Sequence, residues 1–193
     1  MVDDKSDWNS SDEESFFTNQ GDGKFSADQI YYKPIGYVHS PYKDPDTTPI
    51  QPVFDEDSEG TIEILEQYEP GLKDLDGFSH LFVFYYLHKA SPARMTVKPF
   101  LQDVERGIFA TRAPCRPNPI GLSIVKLKEV RGRILDIVGV DILDGSAVLD
   151  IKPYCEQFDK VLEPRCGWQD ELDSAEVERR GKRQGPPEKR PPE

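Results

Sequence analysis

Two arginines, Arg112 and Arg116, stand four residues apart in a segment that proline keeps out of a helix. Residues 107–123 read G-I-F-A-T-R-A-P-C-R-P-N-P-I-G-L-S. Pro114, Pro117 and Pro119 fix φ at their own positions and push Ala113, Arg116 and Asn118 toward extended backbone, so the segment is stiff before anything binds. An extended strand entering through Phe109 and Thr111, a corner carrying Arg112, Arg116 and Asn118, and an exit strand opened by Gly121 would aim guanidinium and amide groups at one small region. That is the chemistry of a site for a polar ligand. The alternative is that both arginines are structural, pairing with acidic residues or capping loop carbonyls. Proline spacing does not separate the two.

Such a corner needs rigid neighbours, and the surrounding pattern supplies strands. A short β-type run covers residues 33–39, followed by a turn and a proline-rich loop through Pro52. Residues 61–65 alternate apolar and polar, as a half-buried strand does. The run H-L-F-V-F-Y-Y-L-H at residues 80–88 is almost continuously apolar, which predicts burial on both faces. Residues 122–130 and 133–141 flank Arg131-Gly132 as a hairpin, and Asp144-Gly145 makes a turn before a last strand at 147–151. Helix is scarce, expected as one turn over residues 72–77 and as short pieces over residues 159–162 and 169–180. The predicted fold is mainly all-β, a single-sheet antiparallel barrel with minor helices and loosely attached or disordered tails.

Composition divides the 193 residues into three stretches. Residues 1–30 carry eight acidic against two basic residues, half of the net charge of −12, and read as a disordered acidic tail. Residues 31–155 hold the apolar patterning of the barrel domain. Residues 156–193 read as an extension with a short helix and a Pro/Lys/Arg-rich end. An acidic balance argues against a protein that coats nucleic acid nonspecifically, since phosphate contacts need clustered Lys and Arg, and leaves a local basic patch in the middle portion open. Cys115, Cys155 and Cys166 form no C-x-x-C pair, and the three histidines lack ligand-spaced partners, so no metal is expected. No signal segment and no membrane-spanning run is read, and a reducing cytoplasm is the expected location. There is no G-x-G-x-x-G after a strand and no G-x-x-x-x-G-K-[ST], so the usual nucleotide platforms are absent. A ligand would sit in the mouth or seam of the barrel.

The proline segment resembles the hallmark motif of the TrmO (YaeB-like) family of tRNA methyltransferases. I-G-Y-V-H-S-P-Y-K at residues 35–43, L-D-G-F-S-H-L-F-V-F at 75–84 and L-D-G-S-A-V-L-D-I-K-P-Y at 143–154 resemble the family's other blocks, in its order. The resemblance implies methylation of N6 of threonylcarbamoyladenosine beside the tRNA anticodon, with S-adenosylmethionine as methyl donor. It also implies a homodimeric single-sheet barrel with cofactor sites near the subunit boundary. The implied cofactor pocket takes Gln51 and Pro52, His88 and Lys89, Arg112, Leu122, and the turn Leu143, Asp144, Gly145 and Ser146. Taken singly, Gln51 could only order its loop, Leu122 could be core, and Asp144-Gly145 is a good turn whatever it touches.

The implied acceptor is a weak nucleophile, because its nitrogen lone pair is delocalised and its proton must leave at or after transfer. A base is therefore useful. Asp150, Lys152 and Tyr154 share one strand face, which offers Asp150 or Tyr154 as base and Lys152 as a partner for anionic charge or the threonyl carboxylate. An ordinary Asp150–Lys152 surface pair is the competing reading. Arg112 is assigned to the cofactor corner, Arg116 to phosphate or a subunit contact, and Asn118 to loop ordering. Two other functions are open: the same cofactor with another RNA or a small molecule as acceptor, and a noncatalytic binding or regulatory barrel.

Overall fold

The computed structural model describes residues 30–181, and the architecture is that of the chain from Lys33 onward. The expected tails lie mostly outside the described residues. Six strands close into one antiparallel barrel: β1 (Gly36–His39), β2 (Glu59–Ile64), β3 (His80–Tyr86), β6 (Ile120–Arg131), β7 (Ile134–Val138) and β8 (Ala147–Pro153). They run around the barrel in the order β1-β2-β7-β6-β3-β8, and β8 returns to β1. Closure leaves no unpaired sheet edge to attract another strand. A separate two-stranded ribbon, β4 (Thr96–Val97) with β5 (Arg106–Gly107), precedes the proline corner.

Side-chain alternation decides which face looks inward. Along the first half of β6, Gly121, Ser123, Val125 and Leu127 are buried while Ile120, Leu122, Ile124 and Lys126 are exposed. With Val38, Ile62, Ile64, Leu81, Val83, Leu135, Ile137 and Val148 they fill the interior, and each large aliphatic side chain removed from water contributes about 1.5–3 kcal/mol. Register shifts between Phe84 and Tyr85 against β8, and between Leu127 and Glu129 against β7, bend the strands toward closure. Gly121 is required where it stands, because a Cβ there would lie 2.3 Å from the Tyr85 ring.

Four expectations need correcting. The run at 80–88 is not buried on both faces: Leu81, Val83 and Tyr85 point inward, whereas Phe82 and Phe84 are half-exposed and Tyr86 is exposed. Its outer side belongs to a sheet face that is left partly open among the described residues. The entry to the corner is no strand through Phe109 and Thr111. Ile108–Ala110 form a 3₁₀ turn, anchored by buried Ile108 and closed by the Thr111 N–H on the Ile108 carbonyl at 3.1 Å. The strand expected to reach residue 141 ends at Val138, because Gly139 turns the backbone at φ +75°. Val140 and Ile142 still enter the core. The helical turn expected at 72–77 becomes two 3₁₀ turns, Glu66–Leu72 and Leu75–Gly77, with Asp74 left-handed between them.

The helical pieces after β8 are α1 (Glu156–Asp159), a 3₁₀ turn at Gly167–Glu171 and α2 (Ser174–Gly181). The first lies N-terminal to the expected 159–162. The expected 169–180 segment is split, with Leu172 extended after the turn. This extension packs on the segment before the proline corner. Trp168 Nε1 donates to the Ala110 carbonyl at 2.8 Å, Arg106 stacks 5.6 Å over the Trp168 ring, and Arg180 donates to Asp103 at 2.9 Å.

Candidate functional site

Three loops meet at one end of the barrel. The loop after β1 carries Ser40, Tyr42 and Lys43, the loop after β3 carries His88 and Lys89, and the turn before β8 carries Leu143–Ser146. Gly145 sits at φ +75°, a conformation that favours glycine, and its N–H donates to the Val38 carbonyl at 2.8 Å. Asp144 ties two loops together. It accepts from the Ser40 N–H at 3.0 Å and from the Lys43 ammonium at 2.6 Å, and the lysine holds its carboxyl below the usual range. Lys89 Nζ donates to the Lys43 carbonyl at 2.9 Å, and Ser146 Oγ lies 3.3 Å from His88 Nδ1.

Gln51 and Arg112, 61 residues apart, are joined by a hydrogen bond from the guanidinium to Gln51 Oε1. Pro52 begins the 3₁₀ turn Pro52–Phe54 that follows. Apart from Gln51, Arg112 makes no hydrogen bond among the described residues, so most of its donors are free for a ligand. Arg116 behaves differently. It is half-buried and donates to the carbonyls of Thr111 at 2.8 Å and Ile108 at 3.2 Å, with its guanidinium 5.8 Å over Phe109. These contacts order the corner. The Asn118 carbonyl accepts from Ile120 N–H at 2.8 Å, and its exposed side chain makes no hydrogen bond among the described residues.

Asp150, Lys152 and Tyr154 share a side of the sheet, and it is the outer side. Asp150 pairs in register with Phe84 and Lys152 with Phe82; Lys152 Nζ reaches Asp150 Oδ2 at 2.6 Å, and the Tyr154 ring lies 5.6 Å from Phe82. At about 3.3 Å per residue, Asp150 lies about 13 Å along β8 from Ser146, and Tyr154 twice as far. Among the described residues no hydrogen bond or ion pair joins this face to the Gln51–Arg112 corner. Leu122 lies on the same outer surface, 44% exposed beside Ile120, Ile124, Phe84 and Tyr86, rather than in the core.

The residues missed by sequence reasoning are Tyr85, Ser123 and Asp141. Ser123 Oγ donates to Asp141 Oδ1 at 2.5 Å and lies 3.3 Å from the Tyr85 hydroxyl, with all three side chains buried. Burial pushes the Asp141 carboxyl up to about 6, against the lowering effect of Ser123 and Arg112. Burial also pushes the Tyr85 phenol up, and burial with the Asp55 hydrogen bond raises Tyr42 to about 12. The available signal was a lone acid inside the apolar run V-G-V-D-I-L at residues 138–143. Elsewhere, a shallow depression on the outer face of β2, β7 and β6 is lined by Glu59, Lys128 and Asp136. Its charges are already paired, Lys128 with Glu59 at 2.8 Å and Asp136 with Arg131 at 2.5 Å. Among the described residues no cluster of His, Cys, Asp and Glu is placed to hold a metal, and no helix is long and apolar enough to cross a membrane.

Fold and site together define a small closed β-barrel with polar loops gathered at one end, in place of a nucleotide-binding α/β sheet. Residues 37–160 match the family described as the tRNA-methyltransferase O N-terminal domain, and the chain belongs to that family. A probable S-adenosyl-L-methionine-binding protein of Pyrococcus abyssi is 49% identical over 139 residues, which are 72% of this chain and 76% of the relative. The human tRNA (adenine(37)-N6)-methyltransferase is 35% identical over 142 residues, 68% of this chain but 32% of that protein. The crystal structure of TrmO from Pseudomonas aeruginosa superposes with a TM-score of 0.61 at 35% identity, covering 72% of this chain and 62% of the other. The chain thus spans about a third of the human relative and about three fifths of the bacterial structure.

Proposed function

We infer that this protein binds S-adenosylmethionine and methylates N6 of threonylcarbamoyladenosine beside the tRNA anticodon, as a cytoplasmic homodimer. Family membership supports the reaction class. The observation that carries the cofactor reading is that four distant segments, at Gln51, His88–Lys89, Arg112 and Leu143–Ser146, supply the loops of one barrel end, two pairs of them in direct contact.

The residues present suit the cofactor's chemistry. Arg112 offers unused donors for a carboxylate, His88 and Ser146 offer polar atoms, and Asp141 is a carboxylate suited to a cationic group. Bound there, the cofactor would supply a methyl group on a positively charged sulfur. The chain's own part is to hold the acceptor in line with it and to take the N6 proton. Asp150 or Tyr154 serves as base, and Lys152 faces the threonyl carboxylate. Because these residues lie outside the barrel, beside the apolar surface of Ile120, Leu122, Ile124, Phe82 and Phe84, a second copy seated on that surface is what brings the two halves of the site together.

The test is methyl transfer from radiolabelled S-adenosylmethionine to two tRNA preparations, one bearing threonylcarbamoyladenosine and one unmodified, with nucleoside analysis. Label confined to the modified adenosine is the expected result, and label on neither refutes the acceptor. Replacing the base is expected to lower kcat about a hundredfold or more with cofactor affinity within about twofold. If D150A, K152A and Y154F all turn over like wild type at saturating cofactor, the outer face is not catalytic. Arg112→Ala is expected to weaken cofactor binding on the order of tenfold by calorimetry. Its urea midpoint should stay close to wild type, since Arg112 is exposed and, among the described residues, bonded only to Gln51.

A further inference from the structure

Asp141 is a buried carboxylate, 8% exposed, with no Lys or Arg nitrogen within 4 Å among the described residues. Proteins seldom keep such a charge without a partner, because desolvation disfavours it. One oxygen is committed to Ser123, and its own N–H also approaches the carboxylate. Neither neutralises it. The titratable and charged groups that act on it electrostatically are Arg112 from the proline corner, Tyr42 from the loop after β1 and Tyr85 from β3. Tyr42 is itself bonded to Asp55. Asp141 thus stands where the proline corner and the first loop converge, two residues before the turn Leu143–Ser146.

A cofactor that changes charge during its reaction suits such a position. On methyl transfer the carbon–sulfur bond breaks, its electron pair stays on sulfur, and the acceptor nitrogen takes the methyl and gives up its proton. The cationic sulfonium becomes a neutral thioether, S-adenosylhomocysteine. We propose that Asp141 is the cofactor-discriminating residue of this site, its unpaired buried carboxylate favouring the sulfonium form and lacking any such hold on the neutral product. This rests on the cofactor reading above and adds to it how the donor is preferred over the spent cofactor.

The experiment measures S-adenosylmethionine and S-adenosylhomocysteine binding by calorimetry for the full chain and for Asp141→Asn, at pH 8. Wild type is expected to prefer the sulfonium compound by on the order of tenfold. D141N is expected to lose that preference by weakening only the sulfonium compound, with the thioether within about twofold. On wild type alone, lowering pH from 8 to 5 should erase the preference as Asp141 takes up its proton, which keeps the test independent of the variant. If D141N weakens both ligands equally, or neither, Asp141 merely supports Arg112 or the fold, and the proposal is overturned while the cofactor reading stands. If wild type binds neither compound, the cofactor reading itself fails and the proposal with it.

Discussion

Asp141→Asn is expected to make the protein more stable at pH 8 and no more stable at pH 4. In the folded chain the carboxyl titrates at about 6, against about 3.9 when unfolded, so the folded state binds the proton more tightly. The stability associated with that proton is complete below the unfolded value and is lost as pH rises through 6. A difference of about two pH units corresponds to about 3 kcal/mol that the wild type forgoes at pH 8. Asparagine removes the charge, keeps the volume and can still bond Ser123. The stability gap between variant and wild type, read from urea unfolding, should therefore open from near zero at pH 4 toward about 3 kcal/mol at pH 8. The other carboxylates titrate alike in both proteins and cancel in the difference. A gap that is the same at both pH values would show that burial does not raise the Asp141 carboxyl above its unfolded value. A group that weakens the fold at working pH is the kind of residue that function retains, which connects this measurement to the binding one.

Much of the barrel was legible because alternation is a local property. The pattern in β6 names its inward residues without any knowledge of the partner strands, and the turn residues Gly132 and Asp144-Gly145 mark where the chain reverses. What was not legible depends on groups brought from afar. Arg116 reaches back to the carbonyls of Ile108 and Thr111, favouring a 3₁₀ turn where the local residues suggested a strand. Gln51 meets Arg112 across 61 residues, and no spacing rule reports that distance. Asp141 was hidden for a related reason. Whether an acid in an apolar run is buried depends on a donor such as Ser123, 18 residues away on β6. The outer side of β3 misled in the opposite sense, since its apolar residues suggest burial by this chain when a partner's surface would serve as well.

That outer surface gives the other large effect. Ile124 is 43% exposed, opposite Phe82 on β3, and Phe82 packs against Tyr154. Ile124→Glu places a charge in the middle of the apolar strip without touching the core. In a monomer the change should cost no more than about 0.5 kcal/mol. In a dimer sealed through this face the same charge would be buried unpaired, a cost of several kcal/mol, enough to loosen association about a thousandfold or more. Wild type is expected to sediment as a dimer at micromolar concentration, and the variant as a folded monomer whose urea midpoint falls to the value wild type shows when diluted below its dimerisation constant. Because the proposed site joins the Asp150–Lys152–Tyr154 face of one copy to the Gln51–Arg112 corner of another, methyl transfer should fall about a hundredfold or more with the dimer. A monomeric variant that still methylates at the wild-type rate would place the whole site in one subunit. A variant that stays dimeric would move the interface to another face of the barrel.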